Sequence, residues 1–557
     1  MRVWRLVTTA ALVWVAPVAA APRARPEVPL PRVPTTTPGA DPVASLTAKL
    51  NARRPITVAV LGDSITGGMN VPDPNVNGFP VLFCRMLEER FPGTVISVAN
   101  KGIPGNKTAD ALARFDEDVA PLEPDLVVLQ FGGNDKGTKD GLDFLPRYQQ
   151  NLRRLVEATR RIGAACLIIT PPMHEPVVDM PYPTAARRVA QELKVPVADV
   201  DTALKQREHD YRGFFPYFYH PQEHGHAIMA LELYRAFCDL IGKPQSLVVT
   251  IDAYVQPEAA MGSFVSVPVK VENRSDKPRT VALRGEAILT FRLREVEIPA
   301  RGSHTWLLPL ALPHTLSGGR SLEWPLWVAA TAGEELGFGL ARIAAVPATD
   351  CPAAKRYASR APFASLSAPH LALGRVDWRG ERDLSADIFV SYDAESVNLA
   401  VEVTDDIVTT TASMPFGDGV EIYLDLRDDQ NRGKPFYGKQ CATLFVGAAG
   451  PESAPVLSSL LEDETPKSLL ALKPTCTLIP RGYRLELKLP RAVLDAIAGR
   501  RVKAFGLDIC LDDCDNEKRK AQMIWLGRLD NFVNPRRLGE LRLEDTVPPG
   551  TMRVTIF

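Results

Sequence analysis

A short apolar run, Val58-Ala-Val-Leu61, ends abruptly in Gly62-Asp63-Ser64, and the loose pair Gly67-Gly68 follows. A strand that stops at glycine and presents a serine just past its carboxyl end puts a hydroxyl at the rim of a parallel sheet. Open α/β folds bind their ligands at that rim. A serine there is a candidate nucleophile once a base takes its proton. Three further polar segments follow in chain order: Asn100 to Asp110, Gly132-Gly133-Asn134-Asp135, and His220-Pro221-Gln-Glu-His-Gly225-His226. Together the four supply the parts of an acyl-transfer site. They hold a hydroxyl to attack a carbonyl, imidazoles that titrate near neutral pH, and neutral N–H donors for the oxygen that becomes negative.

Elements of two kinds must position these segments. Residues 56–61, 94–99, 126–131, 166–170 and 195–200 are short and rich in Val, Ile and Leu, as buried parallel strands are. Residues 81–90, 108–120, 144–162 and 184–193 have helical spacing, and 225–241 closes the series as a last helix. Strands alternating with helices predict a three-layer α/β sandwich over 45–243. The pattern changes near Pro244. Val265, Val267, Val269 and Val271 alternate with period two, and turn signals such as Asn273-Arg-Ser-Asp276 and Ser317-Gly-Gly319 separate the runs. Residues 244–350 are therefore expected to form an immunoglobulin-like β-sandwich spacer, its Trp306, Trp324 and Trp327 in the core. Residues 351–557 form a second β segment.

The chain has 557 residues, too many for one core, and length alone suggests about three or four domains. A formal net charge of -1 lacks the clustered excess of Lys and Arg that a nucleic-acid partner needs. Residues 1–21 carry Arg2 and Arg5, an apolar stretch from Leu6 to Val18, then Ala19-Ala20-Ala21, the order of a secretory signal. That stretch is short of the ~20 residues a membrane span needs. The expectation is a secreted or periplasmic protein with no stable membrane insertion, joined to its signal by a Pro-rich tether over 22–44. Eight cysteines are too few for a disulfide scaffold. Cys84, Cys166 and Cys238 sit in apolar contexts and read as buried thiols, while Cys510 and Cys514 are close enough to pair.

The four segments resemble the sequence blocks of the SGNH, or GDSL-type, hydrolase family, over about 200 residues. The resemblance implies Ser64 as nucleophile and His220 as base. It implies an oxyanion hole from the N–H groups of Ser64 and Gly102 and the side chain of Asn134. His220 is preferred over His224 and His226 because Pro221 and the Gly225-His226 ending match the family's register. Asp63 and Asp135 are expected to brace loops. The family usually has an aspartate three residues before the histidine, and here that position is Tyr217. A Ser64–His220 dyad with a backbone carbonyl orienting the ring is therefore expected. Asp210, Glu223 and Asp201 are the acids that could act through space.

Residues from about Phe363 to Leu543 resemble a family 9 carbohydrate-binding module. The resembling stretches include Leu399-Ala-Val-Glu-Val-Thr-Asp405, Asp418-Gly-Val-Glu-Ile-Tyr-Leu-Asp425, Gln522-Met-Ile-Trp525 and Asn534-Pro-Arg-Arg-Leu-Gly539. Such modules stack sugars on aromatic rings, which makes Trp378, Trp525, Tyr423 and Phe436 the residues to inspect, although Trp525 and Tyr423 also suit a core. The run Asp512-Asp513-Cys514-Asp515 could hold calcium, but reads more simply as a solvated turn. No cofactor and no metal are expected. The resulting expectation is a secreted serine esterase that takes a small acyl group, acetyl above all, from an acylated carbohydrate or polysaccharide. The alternatives are a lipid or thioester hydrolase on the same scaffold, and a non-catalytic sugar-binding protein.

Overall fold

The structure is a computed structural model. It describes residues 41–557 apart from 70, 72, 136–143, 173–180, 207–219, 253, 288–289, 315–320, 351–361, 411–416, 433–436, 450–454, 456, 460–464, 516–517, 528–530, 533, 544–550 and 557. The signal, Cys351, Asp210, Tyr217 and Phe436 lie outside the described residues. Most of the tether does too. Its expected end is too late: Asp41 caps a first helix, α1 (Pro42–Asn51), through its side chain to the N–H of Val43.

Five parallel strands form the first sheet: β1 (Ile56–Gly62), β2 (Ile96–Gly102), β3 (Leu126–Gln130), β4 (Ala165–Ile169) and β5 (Val197–Ala198). Their spatial order is β2-β1-β3-β4-β5. Alternation along each strand divides the interior. Val58, Val60, Leu126, Val128, Leu167 and Ile169 join one core with Phe79, Phe83, Met229 and Phe237. Ala59, Leu61, Val127, Leu129, Cys166 and Ile168 join the other with Phe115, Leu152, Val156 and Val189. Period-two side-chain geometry thus makes the three layers. Helices α2 (Pro74–Asn77), α3 (Phe79–Arg90), α4 (Thr108–Asp118), α5 (Leu145–Arg161), α6 (Pro181–Leu193), α7 (Val200–Lys205) and α8 (Glu223–Leu240) complete the layers. The chain leaves β1 between β2 and β3, so the strand order reverses there. The crevice at their carboxyl ends is where an open sheet offers a site.

The middle segment is a β-sandwich, and its three tryptophans are buried, as expected. It is not merely a spacer. Trp327, Ala329, Leu336 and Phe338 belong to the same core as α3 and α8. The Arg85 guanidinium of α3 lies over the Trp327 ring, 4.3 Å from its centre. The C-terminal segment packs two antiparallel sheets around Val401, Ile422, Leu444, Leu487, Ile509 and Met523. Its expected end at residue 557 needs correction. The last strand (Thr551–Ile556) pairs with strands Glu335–Asp350 and Tyr254–Ala260 of the middle sandwich, and Met552 and Val554 fill that core. Among the described residues no helix is long and apolar enough to cross a membrane.

Candidate active site

Ser64 follows directly on β1 and heads a tight turn, closed by Gly67 N–H to Asp63 O and Met69 N–H to Ser64 O, each 3.0 Å. His220 comes from the far end of the domain, just before α8. The two meet: Ser64 Oγ lies 2.7 Å from His220 Nε2. Burial holds the His220 imidazolium below its ordinary range, so the ring is neutral and able to take a proton near neutral pH.

The loop around the serine is braced from several sides. Asp63 is buried, accepts from the N–H of Ile65 at 2.9 Å, and is pushed up to about 7, first by burial and also by the nearby Asp135. Thr66 Oγ1 donates to Gln130 Oε1 at the end of β3, and Asn100 Nδ2 donates to Thr66 O at the end of β2. Asp135 accepts from both the N–H and the hydroxyl of Thr108, at the start of α4. Both acids brace loops, as expected.

Gly102 departs from expectation. Its N–H donates to Asn100 Oδ1 at 2.9 Å. A Cβ there would lie 2.2 Å from the Gly67 nitrogen, so glycine is needed where the β2 end touches the serine turn. Its role is close packing, and its N–H is spent on Asn100. Gly105, three residues on, has φ near 79°, and among the described residues nothing lies within 4 Å of where a Cβ would sit. Asn134 Nδ2 donates to Asn106 O at 3.1 Å, next to that glycine. The preceding Gly133 lies against the Asp63 carboxylate, 3.6 Å from where its Cβ would sit. The turn that carries Asn134 therefore joins the Gly105-Asn106 loop to the loop of Ser64.

One organiser was not legible in the motifs. Arg114 of α4 donates to Gly62 O at 3.2 Å, Lys101 O at 2.8 Å and Asn106 Oδ1 at 2.8 Å, tying the ends of β1 and β2 to the same loop. Only its helical position was visible beforehand. Of the acids that could orient His220, Asp201 is paired with Arg187 at 2.9 Å and Lys205 at 3.3 Å. Glu223 is bonded to Asn77 Nδ2 at 2.8 Å and to Arg342 of the middle sandwich at 2.8 Å. His226 is buried and neutral, pushed down to about 3 by burial, and its Nδ1 accepts from the N–H of Phe79.

Among the described residues, the sugar-stacking candidates Trp378, Trp525 and Tyr423 are not gathered on an open face. Trp525 is buried against Phe363, with ring centres 5.5 Å apart, and Tyr423 is buried with its hydroxyl on Glu421. Trp378 is half-buried, its Nε1 bonded to Leu384 O at 3.0 Å. Tyr423 lies in a strand (Gly419–Asp425) buried at every position, and Trp525 follows directly on the strand Lys518–Ile524. Nor is the acidic run a solvated turn. It ends the strand Ala504–Asp515, with Asp512 and Asp513 buried. Asp405, Asp418 and Asp513 bring carboxylate oxygens within 4.8 Å of one another, a hard donor set of the kind calcium takes. Burial and like charge push Asp405 up to about 8, and burial first of all pushes Asp513 to about 7. Cys510 and Cys514 are buried thiols not joined in a disulfide, as are Cys84, Cys166 and Cys238.

Residues 60–228 match the GDSL-like lipase/acylhydrolase family, and residues 363–546 match the carbohydrate family 9 binding domain-like family. An acetylxylan esterase from Geobacillus stearothermophilus is 29% identical over 210 residues, spanning 33% of this chain and 92% of that protein. Esterase TesA from Pseudomonas aeruginosa is 33% identical over 125 residues, 22% of this chain and 58% of that protein. A crystal structure of the Geobacillus acetylxylan esterase, at 28% identity, covers 34% of this chain and 94% of its own, with a TM-score of 0.29.

Proposed function

From a chain that carries a GDSL-like acylhydrolase domain and a carbohydrate family 9 binding-like domain, and is a carboxylic ester hydrolase, we propose an exported esterase that removes acetyl groups from a polysaccharide. The observation that carries the mechanism is the 2.7 Å contact between Ser64 Oγ and a neutral His220 at the carboxyl edge of the sheet. Ser64 Oγ attacks the ester carbonyl as its proton passes to His220 Nε2. The carbonyl oxygen becomes an oxyanion, met by the amide of Asn134 and by backbone N–H groups of Ser64 and Gly105, the latter taking the place first given to Gly102. The intermediate collapses, the C–O bond to the sugar breaks, and the leaving oxygen takes the proton from His220. Water then repeats the sequence on acyl-Ser64 and releases acetate.

Support for acetyl and for carbohydrate comes from the acetylxylan esterase likeness and from the second matched domain. Support for export comes from the charged and then apolar start of the chain. The test is acetate release from a panel of acetylated polysaccharides, xylan first. Release from at least one polymer, lost in Ser64→Ala, is expected. Preference for long-chain acyl esters or thioesters over every acetylated glycan would replace this reading with a lipid or thioester hydrolase.

A further inference from the structure

A chain of buried charges runs through all three domains and ends beside the catalytic histidine. Glu223 occupies the first turn of α8, three residues after His220. Its carboxylate pairs with Arg342 of the middle sandwich at 2.8 Å, both side chains about one-tenth exposed. Arg342 Nε lies 3.4 Å from Glu323, and Glu323 accepts from Arg537 Nε of the C-terminal module at 2.8 Å. Other ion pairs cross the same junction, Arg85–Glu286 and Arg284–Glu89, but they involve more exposed side chains and lie on α3, away from the start of α8.

The start of α8 is thus fixed at three points. Phe79 N–H holds His226 and Asn77 holds Glu223, both from within the hydrolase domain. Arg342 holds Glu223 from outside it. The loop that carries His220 leads directly into this turn, with one proline between the histidine and the helix cap. Base catalysis needs the imidazole within hydrogen-bond reach of the serine, and small misplacements are costly in rate. On the reading of Ser64 and His220 given above, we propose that Arg342 is a positioning residue for His220, acting through Glu223. The middle sandwich is then part of the working enzyme.

The experiment measures kcat and KM of the full chain for a small acetyl ester. Arg342→Gln is expected to lower kcat by about tenfold with KM within about twofold, because the small ester touches neither residue. Arg342→Lys, which keeps the charge, should recover most of that loss. Arg284→Gln, which breaks a pair at the same junction but away from α8, should leave kcat unchanged. If Arg342→Gln does not fold, Glu223→Gln tests the same link, since its amide oxygen can still accept from Asn77. Wild-type kcat in Arg342→Gln, or in its stand-in Glu223→Gln, overturns the proposal, as does an equal loss in Arg284→Gln. Turnover persisting in Ser64→Ala would instead overturn the assignment of the nucleophile, a separate outcome.

Discussion

The hydrolase domain and the C-terminal module treat their polar residues in opposite ways. In the first, Ser64 and His220 come together at the carboxyl end of a parallel sheet, with His220 and Asn134 only partly buried. In the second, the aromatic and acidic residues that suggest chemistry are folded inward. Buried charge differs in the same sense. At the junction beside α8, Glu223 and Glu323 face Arg342 and Arg537. In the module, Asp405, Asp418 and Asp513 crowd together, with the Lys520 ammonium 3.8 Å from Asp513. A paired network fixes geometry, whereas a carboxylate cluster keeps its protons and pays in pH sensitivity. Substitutions on the hydrolase side should therefore cost rate, and substitutions in the module should cost stability.

Ser64→Ala should break this division most sharply if it is wrong. Loss of turnover by a factor on the order of 10⁴–10⁶, with an unchanged thermal midpoint, is expected from removal of a nucleophile. Trp525→Ala is the reverse case. Removing a buried indole should lower unfolding free energy by about 3–5 kcal/mol while the rate on a small soluble ester stays as in the wild type. A large rate loss with no stability loss would move Trp525 from the core into a site. Asn134→Ala returns to the rate side, with kcat down by roughly 10²–10³-fold and KM little altered if its amide meets the oxyanion. On the same enzyme, the acid limb of kcat/KM should fall below the ordinary imidazole value of 6.5, because burial disfavours the charged His220 and activity needs it neutral.

The smallest effect sharpens the module's half of the comparison. Asp405 and Asp513 keep their protons in the folded state to about pH 8 and pH 7, whereas an unfolded chain loses them near 4. The folded state thus binds more protons between those values, and stability falls as pH rises from about 4 to about 8, then levels off. Thermal midpoints across that range should decline less steeply in Asp513→Asn than in the wild type. An identical slope in the two would remove Asp513 from the cluster's titration.

Much of the hydrolase domain was legible because its signals are local. Alternation of Val58 and Val60 with Ala59 and Leu61 announces a strand buried on both faces, and Gly62-Asp63-Ser64 marks where it stops. Apolar spacing likewise located α3 to α6 and α8 to within a few residues. The short α2 and α7 and the first helix, beginning at Pro42, were not foreseen. The module was less legible because aromatic type does not say which face of a strand is covered. Tyr423 and Trp525 look the same in sequence whether they stack a sugar or fill a core.

The order of the chain determined which residues could do chemistry here: a serine at a strand's end, an amide after β3 and an imidazole before the last helix of its domain. Tertiary structure decided which of them meet and what surrounds them. It gave the Gly102 N–H to Asn100, tied two strand ends and a loop to Arg114, and brought Arg342 to Glu223 across 119 positions of chain. Periodicity is written in neighbouring residues because one face of a strand or helix must be buried. An ion pair between distant segments exists only once packing has put both charges in the same dry place, so no local pattern records it.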